Sequence, residues 1–180
     1  MTTDLDISLA RPEERETLAN LMQLYIHDFS EFWAKTPEGE LQNDGRFAPY
    51  PLDAYWREAG RVPLLFRLGG RPIGFALLNA VGHGAAPIDR NMAEFFIARK
   101  HRRGGVGTAA ARQVFSLYPG LWEVAVARRN LGALPFWRQA IGGHPAVIDI
   151  QELDLASEAW NGPMFRFRMG DSVGLRVRPH

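Results

Sequence analysis

The chain has 180 residues, 46% of them hydrophobic and 23% charged, with no cysteine and a formal net charge of +1. That length supports one compact domain, expected to span residues 1–180, and the composition is that of a folded chain rather than a disordered one. The missing cysteines exclude disulfides, thiolate metal sites and a cysteine nucleophile. The charge balance excludes a surface that binds nucleic acid or anionic membrane as a whole. A basic site must therefore be local, and because Lys35 and Lys100 are the only lysines, it is built of arginine, whose planar fork suits phosphate.

The first fifteen residues carry Asp4, Asp6, Glu13 and Glu14 and lack the apolar core of a signal peptide. The longest uncharged stretch, Pro72 to Ile88, is broken by Gly74, Asn79, Gly82, Gly84 and Pro87, so it does not read as a membrane span. A cytoplasmic location, with the chain a monomer or homodimer, is the resulting expectation.

In chain order, Ile7 and Leu9 mark a short strand that ends at Ala10-Arg11-Pro12, where proline followed by Glu13, Glu14 and Glu16 opens a helix. Leu18, Leu21, Met22, Tyr25 and Ile26 recur at helical spacing. Pro37, Gly39, Asn43, Gly45 and Pro49 turn the next segment into a loop, and Leu52 to Ala59 reads as a short helix. Val62 to Leu68 and Ile73 to Val81 flank Gly69-Gly70 as a hairpin. A strand from Asn91 to Arg99 leads through a glycine loop into a helix from Ala109 to Tyr118, followed by a strand from Leu121 to Ala127. A helix from Leu131 to Ala140 ends at Gly142-Gly143, and strands Val147 to Leu155 and Met164 to Met169 complete the order. The pattern predicts an α/β (α+β) fold with a mixed central sheet flanked by helices on both faces.

The chemistry concentrates at Arg102-Arg103-Gly104-Gly105-Val106-Gly107-Thr108, between a strand and a helix and directly after Arg99, Lys100 and His101. Glycines in such a position let backbone N–H groups converge on an anion at the helix N-terminus. A Walker A loop is excluded, since neither Lys35 nor Lys100 follows a glycine. Gly105, Gly107 and Ala110 satisfy a G-x-G-x-x-G/A pattern, and Arg128 and Arg129 suit a 2′-phosphate. An NADP-dependent oxidoreductase is thus an alternative, although the basic run from Arg99 to Arg103 separates strand from glycines where the dinucleotide turn follows its strand at once.

The same loop resembles the Q/R-x-x-G-x-G/A segment of the GNAT-type N-acetyltransferases. Ala93-Glu94-Phe95-Phe96-Ile97 is similar to that family's strand beside the pantetheine arm, and Asn130, Ala133, Phe136 and Trp137 are similar to its N-x-x-A-x-x-F-Y segment. Motif-level similarity covers about Asn91 to Gly143. The resemblance implies a GNAT-like domain that transfers the acetyl group of acetyl-CoA to a primary amine on a small molecule or peptide. A non-catalytic CoA-binding sensor of the same fold is the other alternative. The resemblance further implies that Arg102, Arg103, Gly104, Gly105, Val106, Gly107 and Thr108 hold the pyrophosphate. Phe96, Ile97, Asn130 and Phe136 would then lie along the pantetheine arm, with an N–H near Ile97 polarising the acetyl carbonyl. Asn130, directly before Leu131, is equally suited to cap the following helix.

Transfer to an amine requires the neutral form, about one part in a few thousand for a lysine-like ammonium at pH 7, so a base contributes on the order of 4–5 kcal/mol. Glu94, a carboxylate in an otherwise apolar strand, is the candidate base, with a structural pairing to a nearby arginine or a solvent-facing side chain as its other reading. The family's usual tyrosine acid is replaced by Trp137, whose indole cannot act as an acid. Water or Tyr118 would then supply the proton, or none is needed, since a thiol of pKa near 8.5 leaves readily. Tyr25, His27, Asp28, Glu31, Phe32 and Trp33 offer acidic and aromatic groups for a cationic acceptor, or form core and solvated helix face. The five histidines lack the spacing of a metal site, and no metal is expected.

Overall fold

The computed structural model describes residues 4–84 and 86–170. Its strands are β1 Leu5–Leu9, β2 Val62–Leu68, β3 Arg71–Asn79, β4 Arg90–Ile97, β5 Gly120–Ala125, β6 Val147–Ala156 and β7 Asn161–Met169. The helices are α1 Arg15–Ser30, α2 Ala54–Arg57, α3 Val106–Leu117 and α4 Leu134–Gly142. The strands form a seven-stranded sheet in the order β1-β2-β3-β4-β5-β7-β6. β4 and β5 run parallel, while β1–β2, β5–β7 and β6–β7 are antiparallel, so the predicted mixed sheet with helices is the observed fold class.

Two compact units are resolved: the described residues through Leu77 with Glu94–Lys100, and Leu78–Ala93 with the described residues from His101 onward. In the first, Pro12 opens a 3-10 turn whose Glu14 accepts the Arg11 backbone N–H at 2.9 Å, and α1 follows. The helical spacing of Leu18, Leu21 and Met22 buries them with Leu65, Phe75, Leu77 and Phe96. Fully burying side chains of this size contributes about 1.5–3 kcal/mol each, which is why this face of α1 is apolar. Trp56 donates its indole N–H to the Ala10 carbonyl at 2.8 Å, tying the region of α2 to the end of β1. The predicted helix from Leu52 to Ala59 is shorter than expected, because Glu58 already has extended backbone at φ −102° and ψ 132°.

In the second unit, alternation along β5 sends Trp122 to one face, where Phe115 of α3 meets it edge-on at 5.0 Å and also meets Phe167 of β7 at 5.1 Å. The opposite face carries a cross-strand pair, Glu123 with Arg166. Glu123 is 0% exposed, its carboxylate lies 3.1 Å from the Arg166 guanidinium, and it accepts the His83 backbone N–H at 2.6 Å. Arg112 donates to the carbonyls of Gln139 and Ala140, in the last turn of α4, at 2.8 and 3.2 Å. His144 accepts the Ala146 N–H at Nδ1, 3.2 Å away, so its Nε2 carries the hydrogen and donates to Ser116 Oγ at 2.8 Å.

Candidate active site

Glu94 belongs to the first unit. Strand alternation places it, like Phe96, toward the side of β4 that α1 covers, and its carboxylate is held by phenols rather than by an arginine. Tyr25 of α1 donates a hydrogen bond to Oε2, and Tyr50, from the segment preceding α2, donates to Oε1 at 3.1 Å. The ring of Tyr25 is packed by Phe29, Phe75 and Phe96 at centroid distances of 4.7, 5.8 and 6.1 Å. Tyr50 is located by a reciprocal pair upstream: Gln23 accepts the Phe47 N–H at 2.8 Å and donates to the Phe47 carbonyl at 3.2 Å.

These surroundings set the protonation of the site. Burial pushes Glu94 above the usual carboxylate range, and the two phenolic bonds pull it back only in part. A base raised toward the operating pH is a better proton acceptor than an exposed carboxylate. Both phenols are held neutral, raised first by burial and then by the neighbouring Glu94 charge. Tyr25 stands among the apolar positions of α1 in the sequence, and the signal that it has a partner is its hydroxyl, which a buried tyrosine must satisfy. Tyr50, between Pro49 and Pro51, carries no periodic signal at all.

The other acidic and aromatic residues near α1 divide. Asp28 accepts from Arg99 at 2.8 and 2.7 Å from two guanidinium nitrogens, so Arg99 pairs with a carboxylate within its own unit instead of standing in an open basic run. Phe32 and Trp33 lie in or beside an aromatic cluster with Phe29, at 5.7 and 5.9 Å, while His27 and Glu31 are exposed.

The glycine loop belongs to the second unit. A 3-10 turn Arg99–His101 precedes it, and α3 begins at Val106, three residues earlier than expected, so Val106, Gly107 and Thr108 form its first turn. The first helical bond runs from the Ala109 N–H to the Gly105 carbonyl at 3.0 Å. The N–H groups of Val106, Gly107 and Thr108 therefore have no acceptor within the helix, and no side chain caps it. Gly105 has φ +82° and Arg103 φ +65°, so the loop takes the left-handed region at two positions before α3. Arg102, Arg103, Gly104 and Gly105 are exposed. An uncapped helix start with arginines beside it fits the pyrophosphate of a nucleotide.

The remaining expected residues are placed as follows. Phe96 and Ile97 are 4% and 6% exposed, so contact with a ligand there falls to their backbone. Asn130 lies in the 3-10 run Arg128–Ala133 at φ −114° and ψ 45°, and α4 is capped by Ala133. Its non-helical backbone interrupts that run directly before Leu131. Phe136 is half-buried and meets Trp137 edge-on at 4.8 Å. Trp137, 7% exposed, packs toward Phe115 as a core residue. Tyr118 ends α3 with the Arg90 guanidinium 5.2 Å over its ring. Among the described residues, no group of three His, Cys, Asp or Glu is placed to hold a metal ion, and no helix is long and apolar enough to cross a membrane.

The family model described as the acetyltransferase (GNAT) family matches residues 18–142. No curated protein matches the sequence. Among solved structures, an acetyltransferase from Thermus thermophilus is 16% identical with a TM-score of 0.60, covering 92% of this chain and 96% of that one. The aminoglycoside acetyltransferase AAC(6')-Ib, in complex with coenzyme A and kanamycin, is 14% identical with a TM-score of 0.59, covering 92% and 94%. The ribosomal-protein-S18-alanine N-acetyltransferase from Escherichia coli is 9% identical with a TM-score of 0.52, covering 96% and 99%. At these identities the structural likeness is one of fold.

Proposed function

Because the chain belongs to the acetyltransferase (GNAT) family, we propose that it transfers the acetyl group of acetyl-CoA to a primary amine, with Glu94 as the base. The observation that carries this reading is the condition of Glu94: a half-buried carboxylate raised above its ordinary range, with phenols on both oxygens. Such a group accepts a proton from an ammonium more readily than a surface carboxylate, directly or through one water. Two of the structural neighbours named above support an amine acceptor, since one is seen with kanamycin and the other is a ribosomal-protein-S18-alanine N-acetyltransferase. The dinucleotide alternative, which rests on Gly105, Gly107 and Ala110, has no support from the family match.

Acetyl-CoA, when bound, supplies an acetyl group activated by a good thiolate leaving group. The chain's own part begins at Arg102 to Thr108, whose exposed loop and first helical turn offer amides and guanidinium groups to the pyrophosphate. Phe96, Ile97, Asn130 and Phe136 lie along the pantetheine arm, and a backbone N–H near Ile97 polarises the acetyl carbonyl. Glu94 takes the ammonium proton, which leaves the amine nitrogen free to attack. No side-chain acid is assigned, because Trp137 is a buried indole and Tyr118 stands at the far end of α3, its phenol made a weaker acid by burial.

Calorimetric titration with acetyl-CoA and with NADPH tests the cosubstrate. Binding of acetyl-CoA without comparable binding of NADPH is expected. Tight NADPH binding with no acetyl-CoA binding would overturn the proposal.

A further inference from the structure

We propose that Tyr25 and Tyr50 are positioning residues that grip the Glu94 carboxylate by one oxygen each and aim its remaining lone pairs at the acceptor amine. The inference rests on the proposed role of Glu94 and concerns two residues that no motif of the chain marks out.

The two donors come from separate parts of the first unit, Tyr25 from α1 and Tyr50 from the segment before α2, and they bond to different oxygens of Glu94. A carboxylate offers about four lone-pair directions. With one phenol on each oxygen two are used, and two remain for an incoming N–H donor. Rotation of the carboxylate about its last torsion breaks at least one phenolic bond, so the pair fixes the plane of the base. Each donor is itself fixed, Tyr25 by three aromatic neighbours and Tyr50 by the Gln23–Phe47 pair upstream of it. The segment downstream is fixed as well, by buried Leu52 and Tyr55. This is the arrangement a base requires when a misplacement of about 1 Å lowers the rate by roughly a hundredfold.

The titratable groups facing Glu94 are Tyr25 from α1, Tyr50 from the segment before α2 and Tyr55 from α2. All three are phenols, so the opposing influences on Glu94 are burial and hydrogen bonding, with no cation among its causes. A phenol that donates to the ionised carboxylate stabilises that form and lowers its pKa. Removing one hydroxyl must therefore raise the Glu94 midpoint, by roughly one pH unit for a bond of this kind.

The test is the titration of Glu94 by carbon-13 carboxyl NMR in the ligand-free protein, for wild type, Tyr50→Phe and Tyr25→Phe. Both variants are expected to raise the midpoint, and to carry the acid limb of kcat/KM upward with it for the acceptor that wild type uses best in a panel of primary amines. A phenol that merely packed would leave the midpoint where it was, and an unmoved midpoint in Tyr50→Phe overturns the proposal. So does an acid limb that stays in place while the midpoint moves. Should Tyr25→Phe fail to fold, Tyr50→Phe, in a non-helical segment, carries the test by itself. Because the midpoint is read without substrate, a wild type that acetylates no amine contradicts the proposed function, while the midpoint still decides whether the phenols grip Glu94.

Discussion

Gly105→Ala separates the conformation of the glycine loop from the stability of the fold. Gly105 has φ +82°, and a Cβ added to it meets no atom within 4 Å. Steric overlap therefore contributes nothing, and the penalty is that of holding an L-residue in the left-handed region, about 1–2 kcal/mol. Against a domain stability of about 5–15 kcal/mol the variant remains folded. Relief of that strain rotates the residue away from its φ. Rotation swings the N–H groups at the start of α3 off their common direction, and each charge-assisted bond to a phosphate is worth about 1.5–3 kcal/mol. The loss of one such bond weakens CoA roughly ten- to hundredfold. Urea denaturation measures the stability change, and calorimetry with CoA and with pantetheine, which lacks the pyrophosphate, measures binding. CoA affinity should fall while pantetheine affinity holds. An unchanged CoA affinity, or an equal loss for pantetheine, would refute the assignment of this loop to the pyrophosphate.

Other consequences follow from the same contacts. Gly74→Ala places a Cβ 2.1 Å from the Phe96 carbonyl oxygen, so β3 and β4 must part; overpacking of this kind costs roughly 1–3 kcal/mol or more, and a melting scan should show a fall of at least several degrees. An unaltered Tm would mean that the strands do not approach so closely. Arg166→Met leaves the fully buried Glu123 carboxylate without its cation and should destabilise by about 3–5 kcal/mol. Adding Glu123→Gln to it should recover much of that loss in a double-mutant cycle, whereas simple additivity would deny the coupling. Burial lowers His83 and His144 below the ordinary imidazole range, so both fold as neutral rings. Their contribution is present above the unfolded pKa near 6.5 and is lost as pH falls below it, which urea titrations between pH 7 and pH 5 would register as declining stability. Glu94 has the opposite sign. Its folded pKa is raised, so the folded state is favoured below the unfolded value near 4.3 and loses stability as pH rises through the folded one. Glu94→Gln should therefore gain in Tm relative to wild type as pH increases from 4 to 7, and a constant difference would contradict the raised pKa.

Much of the fold was legible because its elements follow simple periods. Leu18, Leu21 and Met22 declare a helix face, and the residues around Gly69-Gly70 declare a hairpin; both are seen in α1 and in β2 and β3. Boundaries were less legible where glycine intervenes. Gly107 is a poor helix former, yet it lies in the first turn of α3, where the orphan N–H groups make low propensity less damaging than in a helix interior. Within the site, Glu94 stood out as a charge in an apolar strand, but its partners did not. Tyr50 reaches it across 44 positions of sequence and Tyr25 across 69, and nothing local encodes such a meeting. The Glu123–Arg166 pair was equally silent, since a cross-strand register between β5 and β7 creates it. Trp137 illustrates the reverse case, in which a motif drew attention to a residue that the fold uses as core.

The most direct measurement is CoA release, followed with a thiol reagent, from acetyl-CoA and a panel of primary amines, for wild type and Glu94→Gln across pH 6 to 9. Wild type should release CoA with at least one amine, and Glu94→Gln should be slowed most at pH values below the pKa of that amine, where a base is needed, with the deficit narrowing as the amine deprotonates unaided. Release by wild type with no amine at all, or equal rates for the two proteins at every pH, would contradict acetyl transfer to an amine with Glu94 as its base.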